Sequence, residues 1–396
     1  MPHFSVIIPT YNRAHLLPMA IESVLQQSFE DFEIVISNGG STDNTGDVVK
    51  QFSDPRIKYF ESAARLSVGD NYQTGLENAS GEYITFLSDD DAYTPALLQT
   101  VKRAIDQEGA EIVGYQYCRY YHEALFDFGI DVPKNSLLIA EGSRNVTRFS
   151  ARDALQQVLS IHALSSVPVD PRFICPYLSN AAYHRSVFDS LRAKRGNLFD
   201  MVPADIYLAA AVFFEAGSYH CLDRPLLVWS NWEGNSTASA ERTGNKVSEH
   251  YKRLLNGRTL EHTPLKFPLA LNCGANAVLE AVKELDEDTV PIDWDTYFIK
   301  TYENFGYLES VGIDIGQEKE EFRAALEKQP QDIRNRVKRY ISAPMTKAKA
   351  ILNSRLPKAA NVLRKMLNRS GAGQMKLILG QEAGFSNVVE ASRFVE

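Results

Sequence analysis

The stretch "FSVIIPTYNRAHLLPMAIESVLQQSFEDFEIVISNGGSTDNT", Phe4 to Thr45, holds two short apolar runs on either side of a helical pattern. "FSVII" (Phe4 to Ile8) and "FEIVIS" (Phe32 to Ser37) are too continuously apolar for a strand with one wet face. They suit strands covered on both sides. Between them Leu17, Ile21, Val24 and Leu25 recur at helical spacing. Each apolar run gives way to turn-forming polar residues, "PTYN" and "SNGGSTD". Strand, helix and strand in this order predict a parallel pair joined by a crossover helix.

The alternation continues outward from this unit. "RIKYFE", "EYITFL" and "AEIVGYQYC" read as further strands, and "TDNTGDVVKQF", "VGDNYQTGLENA" and "TPALLQTVKRAID" as helices. A mostly parallel sheet with helices on both faces follows. Ligands of such sheets sit beyond the carboxyl ends of the strands, where "PTYN", "SNGGSTD" and "SDDD" all fall. Beyond Tyr120 the pattern loosens, and from about residue 240 to 329 it is mainly helical.

The 396 residues exceed one ordinary domain, and 44% hydrophobic with 23% charged content is that of a globular protein with a sizeable core. The four cysteines, Cys118, Cys175, Cys221 and Cys273, form no CxxC pair, which argues against a zinc site or a disulfide framework and suits a reducing compartment. The N-terminal residues do not read as a signal peptide. The longest apolar run, around Tyr207 to Phe214, is far short of a membrane span. A cytoplasmic location follows as the expectation.

"EYITFLSDDDAYTP" drives an apolar run into three consecutive acids, Asp89, Asp90 and Asp91. An arbitrary acid triplet is most often a solvated turn. At the carboxyl end of a buried strand it suits a hard cation such as Mn2+ or Mg2+, which takes oxygen ligands and recruits a diphosphate. "SNGGSTDNT" offers paired glycines before a helix start, a common tight turn that also suits an anion. Neither a P-loop nor a GxGxxG dinucleotide fingerprint is present.

These motifs, "FSVIIPTYNRAHLLPMAIESVLQQSFEDFEIVISNGGSTDNT" followed by "GEYITFLSDDDAYTP", resemble a family 2 inverting glycosyltransferase. The resemblance is strong over Phe4 to Ile105 and weaker to about Ser236. It implies a GT-A type nucleotide-diphosphosugar-transferase fold, a Rossmann-like mixed α/β sheet flanked by helices. It also implies a nucleotide-sugar donor and a divalent metal. Pro9, Thr10 and Tyr11 would then touch the nucleoside. Asn38 and Gly39 stand where the family usually carries two acids, one of which reads the base, so the departure speaks against UDP as carrier and leaves dTDP or GDP open. Asp90 would be the metal ligand, Asp91 an alternative ligand and Asp89 the ribose contact. Ser88 occupies the place of the first acid of the usual D-x-D. Arg65 would lie by the diphosphate, and Asn71 would contact the donor or orient its loop.

Inversion by single displacement needs a carboxylate to take the acceptor proton. Asp205 matches the family's base, with Asp200 as the weaker candidate and a plain helix-start acid as the bland reading. Trp229, Trp232 and Tyr207 are candidates to stack on sugars, although such residues are more often core. His220, His250 and His262 are weak candidates for the metal shell.

The expected organisation is a GT-A domain at 1–240, a mainly helical extension at 241–330, a basic amphipathic helical segment at 331–370, and a tail at 371–396 with no readable signal. Residues 331–370 hold eleven Lys and Arg against one acid, Asp332, in a chain of net charge −8. That segment is expected either to pack on the acidic body or to lie on an anionic membrane, the inner face of the plasma membrane in a cytoplasmic protein. No nucleic-acid motif is present. The function expected is metal-dependent transfer of a sugar to a hydroxyl of a glycan or lipid-linked acceptor in surface polysaccharide or lipopolysaccharide synthesis. The alternative is a catalytically silent sugar-nucleotide binding or scaffold protein.

Overall fold

The computed structural model describes residues 1–127, 130–140, 142–231, 255, 257–283, 291–310, 313–344 and 375–395. The strands in chain order are β1 (Phe4–Thr10), β2 (Phe32–Asn38), β3 (Ile57–Glu61), β4 (Tyr83–Phe86), β5 (Ala92–Tyr93), β6 (Ile112–Tyr121), β7 (Leu125–Asp127), β8 (Ile130–Val132), β9 (Ser136–Ala140), β10 (Val146–Ser150), β11 (Ala181–His184), β12 (Ser218–Asn231) and β13 (Met375–Leu379). Eight of them form the sheet path β10-β12-β6-β11-β4-β1-β2-β3, with β5, β9 and β13 attached beside it.

β1 lies between β2 and β4 and runs parallel to both, in register from Phe4 opposite Phe32 and Tyr83. Every residue of β2 is buried, as is all of β1 but Pro9. That burial on both faces is why these strands read as continuous apolar runs. The register brings the carboxyl ends of β1, β2 and β4 to one edge. The chain then departs from the mostly parallel pattern. β11 inserts antiparallel between β4 and β6, so the sheet is mixed.

β12 runs parallel to β6 for its whole length, with register shifts around Pro225 that end with Trp229 opposite Arg119. Below the sheet, helices Ala151–Ile161, Ala204–Ala211, Ala270–Val282, Trp294–Ser310, Gly316–Glu327 and Gln331–Ser342 share one core. That core is continuous from Ile7 and Val35 through Leu208 and Val278 to Phe322 and Val337.

The C-terminal residues return to the sheet. β13 pairs antiparallel with β9, which pairs with β6. The helix Val388–Phe394 then buries Val388, Val389 and Ala391 against Ala92, Cys118, Tyr120 and Val228. Of the basic segment, residues 331–344 lie within the described structure and residues 345–370 outside it. All four cysteines are buried and unbridged.

Candidate active site

The acids after β4 are not solvated. Asp89 and Asp90 are 4% exposed and Asp91 is fully buried. The positive partner in the structure is Arg13, from the loop after β1. Its Nη1 lies 2.8 Å from Asp89 Oδ1 and 3.3 Å from Asp90 Oδ2. β1 and β4 are neighbours, so the loops leaving their ends meet although 76 residues separate Arg13 from Asp89. Asp91 Oδ1 accepts from the Ser230 N–H at 2.8 Å, while its Oδ2 is buried without a hydrogen-bond partner.

Burial, only partly offset by Arg13, pushes the Asp89 carboxyl up to about 6. Burial and the charge of Asp90 push Asp91 well above the ordinary carboxylate value. Burial works against the charge of Arg13, but Asp89 and Asp90 outweigh it and raise the guanidinium further. Among the described residues Arg13 lies against Asp89 and Asp90, and a hard dication fits the oxygen donor set of the three buried acids. Among the described residues no group of three or more His, Cys, Asp or Glu side chains is already arranged to hold a metal.

The loops after β1 and β2 are laced together. Asn12, in the left-handed region at φ 54°, accepts from the Thr42 N–H at 2.7 Å through Oδ1. Asp43 accepts from the Ala14 N–H at 3.1 Å. Gly40, at φ 80°, leaves no room for a side chain: a Cβ there would sit 2.5 Å from the Ala64 carbonyl oxygen.

Asn71 clamps both strand ends. Its Oδ1 accepts from Ser37 Oγ at 2.7 Å and its Nδ2 donates to the Thr10 carbonyl at 3.1 Å. Its amide nitrogen lies 3.0 Å from where a Cβ on Gly39 would be, which explains the glycine. The orienting role is therefore the one the contacts support. Pro9 is half-buried opposite Ser37, and Thr10 also accepts from the Gly39 N–H. Arg65 is exposed, with its guanidinium 5.0 Å from the centre of the Tyr11 ring.

Asn38 is committed inside the protein. Its Nδ2 donates to Tyr59 Oη at 2.7 Å and to Glu61 Oε1 at 3.2 Å, and its Oδ1 accepts from the Ser41 N–H at 2.9 Å. The carboxylate missing from the end of β2 is thus present one strand over, as Glu61 at the end of β3.

Asp205 opens the helix Ala204–Ala211, and its Oδ1 accepts from the Ile206 N–H at 3.0 Å. Burial raises its pKa, against that hydrogen bond. The buried Tyr72 hydroxyl feels the charge of both Asp205 and the acid cluster. Burial raises the Tyr72 hydroxyl, and the charges of Asp205, Asp89, Asp90 and Asp91 raise it further, so both acidic groups lie within its electrostatic reach. Asp200 is exposed, and its carboxylate accepts from Asn197 Nδ2 at 3.0 Å.

Trp229 is half-buried beside Ser230, edge-on to Tyr117 at 5.4 Å, with the Arg119 guanidinium 4.9 Å from its ring centre. Tyr207 instead faces the core, and its hydroxyl accepts from Arg195 at 3.3 Å. His220 sits ten residues before Ser230 on β12, roughly 30 Å away along an extended strand, too far to join the acids. His262 pairs with Glu280. Trp232 and His250 lie outside the described residues.

Sequence reasoning missed Arg13, Glu61, Tyr72 and His122. The His122 ring meets Ser230 Oγ at 3.1 Å, and burial lowers its pKa while the charge of Asp90 opposes the shift. Arg13 alone had a legible signal: the first base after the first strand end, in a chain whose fourth strand ends in three acids.

Comparison with known proteins converges on one family. Residues 5–154 match the family described as Glycosyl transferase family 2. A Campylobacter jejuni protein named GalNAc(5)-diNAcBac-PP-undecaprenol beta-1,3-glucosyltransferase is 42% identical over 117 residues, 29% of this chain and 38% of that protein. An Escherichia coli protein, the UDP-Glc:alpha-D-GlcNAc-diphosphoundecaprenol beta-1,3-glucosyltransferase WfgD, is 37% identical over 89 residues, 22% of this chain and 35% of that one. The match thus spans under two-fifths of the length of either relative. The S. aureus TarS 1-349 structure, in complex with UDP-GlcNAc, superposes with a TM-score of 0.51 at 16% identity over 92% of this chain and 91% of that one. Residues 5–154 are thus a glycosyl transferase family 2 domain, and the fold is the GT-A fold of the TarS structure.

Proposed function

We propose that the protein is a metal-dependent inverting glycosyltransferase, moving a sugar from a nucleotide-diphosphate donor to a hydroxyl of a lipid-linked glycan. The observation that carries this reading is the buried, unpartnered Asp91 Oδ2 in an acid cluster at the carboxyl end of β4, facing the loop after β1. The lipid-linked acceptor is drawn from the names of the Campylobacter jejuni and Escherichia coli relatives.

Tyr11 and Arg65 form a stacked pair suited to the nucleoside and diphosphate, and Glu61 is the carboxylate available to a base N–H. Asp90 and Asp91 would hold Mn2+ or Mg2+, with Asp89 turned to the ribose. A bound dication supplies charge neutralisation at the leaving diphosphate. Asp205 takes the proton of the acceptor hydroxyl. The acceptor oxygen forms its bond to the anomeric carbon from the face opposite the diphosphate. The bond from that carbon to the phosphate oxygen breaks, and its electron pair leaves with the nucleoside diphosphate. The raised pKa of Asp205 makes it a better base than an exposed carboxylate. The Trp229 and Tyr117 rings offer a surface for the acceptor sugar.

A differential melting screen with Mn2+ and UDP-, GDP- and dTDP-sugars tests the donor class, followed by assay of nucleoside diphosphate release. Asp90→Ala is expected to abolish the metal-dependent melting shift. A shift that survives in Asp90→Ala would move the metal away from this cluster. Donor binding without turnover over a broad acceptor set would favour the silent scaffold.

A further inference from the structure

We infer that Arg13 is a tethered cation that holds the bridging position between Asp89 and Asp90 in the empty enzyme, and exchanges these carboxylates for the donor diphosphate when the metal and nucleotide enter. The inference rests on the metal reading above and adds a residue to it. One guanidinium nitrogen, Nη1, reaches Asp89 Oδ1 at 2.8 Å and Asp90 Oδ2 at 3.3 Å, so it is wedged between an oxygen of each acid. A cation that took both oxygens would have to evict that nitrogen. Without a cation there, two buried carboxylates would face each other and pay the full cost of desolvation. Arg13 therefore keeps the cluster formed before the donor arrives.

The Arg13 side chain retains 27% exposure while the acids have about 5%, so it has room to withdraw and they do not. It leaves β1 three residues after Thr10, in a loop whose neighbours Asn12 and Ala14 are pinned to Thr42 and Asp43. The backbone stays while the side chain swings. Its charge is then within the loop that meets the donor and suits the phosphate oxygens brought in with the metal, which a guanidinium binds in a fork.

The test uses Arg13→Gln and the full chain. Titration calorimetry measures Mn2+ alone, then the nucleoside diphosphate (UDP, GDP or dTDP) that binds wild type most tightly in saturating Mn2+. The expected result is opposite in sign for the two ligands: Mn2+ alone binds roughly tenfold tighter, and the nucleotide in Mn2+ roughly tenfold weaker. Arg13→Lys, which keeps the charge but not the fork, should bind Mn2+ as wild type does and still lose nucleotide affinity. If Arg13 were merely structural, both affinities of Arg13→Gln would fall together, and that result overturns the inference. So does unchanged Mn2+ affinity in a folded variant. Wild type that binds Mn2+ nowhere overturns the metal reading itself, a different outcome from either.

Discussion

The Asp91 carboxylate accepts the Ser230 backbone N–H at 2.8 Å, tying the last acid of the cluster to a strand 139 residues further along the chain. With the pairing of β5 to β12, this bond joins the acid turn to the strand that carries Trp229. Asp91 belongs to the turn after β4, and Ser230 follows Trp229, the half-buried ring on the other side. The turn proposed for the donor and the strand proposed for the acceptor are therefore held in a fixed relation by a buried carboxylate on a backbone N–H.

Asp205→Asn should leave nucleotide binding in Mn2+ unchanged and lower kcat by roughly 10²–10⁴, the usual loss for a positioned base. Single-turnover assay alongside nucleotide titration checks it. Wild-type turnover in this variant would transfer the role to another acid, Asp200 first.

The pH dependence of stability has two opposed parts. Asp89 is held up at about 6, from an ordinary 3.8, mainly by burial. Between about pH 4 and 6 the folded protein keeps a proton that the unfolded chain has lost, so this group's contribution falls as pH rises. His162, which burial pushes down to about 4 from 6.5, acts oppositely: there the unfolded chain holds the extra proton, and stability rises with pH. Melting temperatures of metal-free Asp89→Asn should therefore climb more steeply from pH 4 to 6 than those of wild type. Equal slopes would mean that Asp89 is ionised throughout.

Asn71→Ala removes the amide that holds Ser37 and the Thr10 carbonyl. Leaving the buried Ser37 hydroxyl unpaired, and the Thr10 carbonyl with the Gly39 N–H alone, should cost about 1–3 kcal/mol in denaturant unfolding. Nucleotide affinity should fall as well, because the ends of β1 and β2 lose their common clamp. A variant as stable as wild type would show that water replaces the amide.

The basic segment calls for substitution rather than truncation. Deleting residues 331–396 would strip β13 from β9 and uncover Cys118, Tyr120 and Val228, so lost membrane binding would report a damaged fold. Replacing Lys347, Lys349, Arg355 and Lys358 by Gln changes none of the residues named in those contacts. We expect wild type to float with anionic liposomes at low salt and the variant to lose most of that binding, at about 1 kcal/mol per base. Flotation indifferent to both salt and substitution would end the membrane proposal.

Much of the N-terminal half was legible. β1 and β2 are buried on both faces, so their residues had to be continuously apolar, and the glycines and acids after them mark the places where the chain leaves the sheet. The C-terminal tail was not legible. Val388, Val389 and Ala391 have no meaning until Ala92, Cys118 and Val228 are beneath them. The strand "RIKYFE" was legible, but the register that sets Glu61 opposite Asn38 was not.

Local sequence by itself determined the strand and helix alternation, the sheet-edge position of the motifs, and the family they belong to. Only the tertiary structure decided which charge meets which. Arg13 reaches Asp89 because β1 pairs with β4, and Ser230 reaches Asp91 because β12 carries it to the same edge. Periodicity is set by neighbours three or four residues apart, whereas a buried charge is neutralised by whatever the fold delivers, at any distance along the chain.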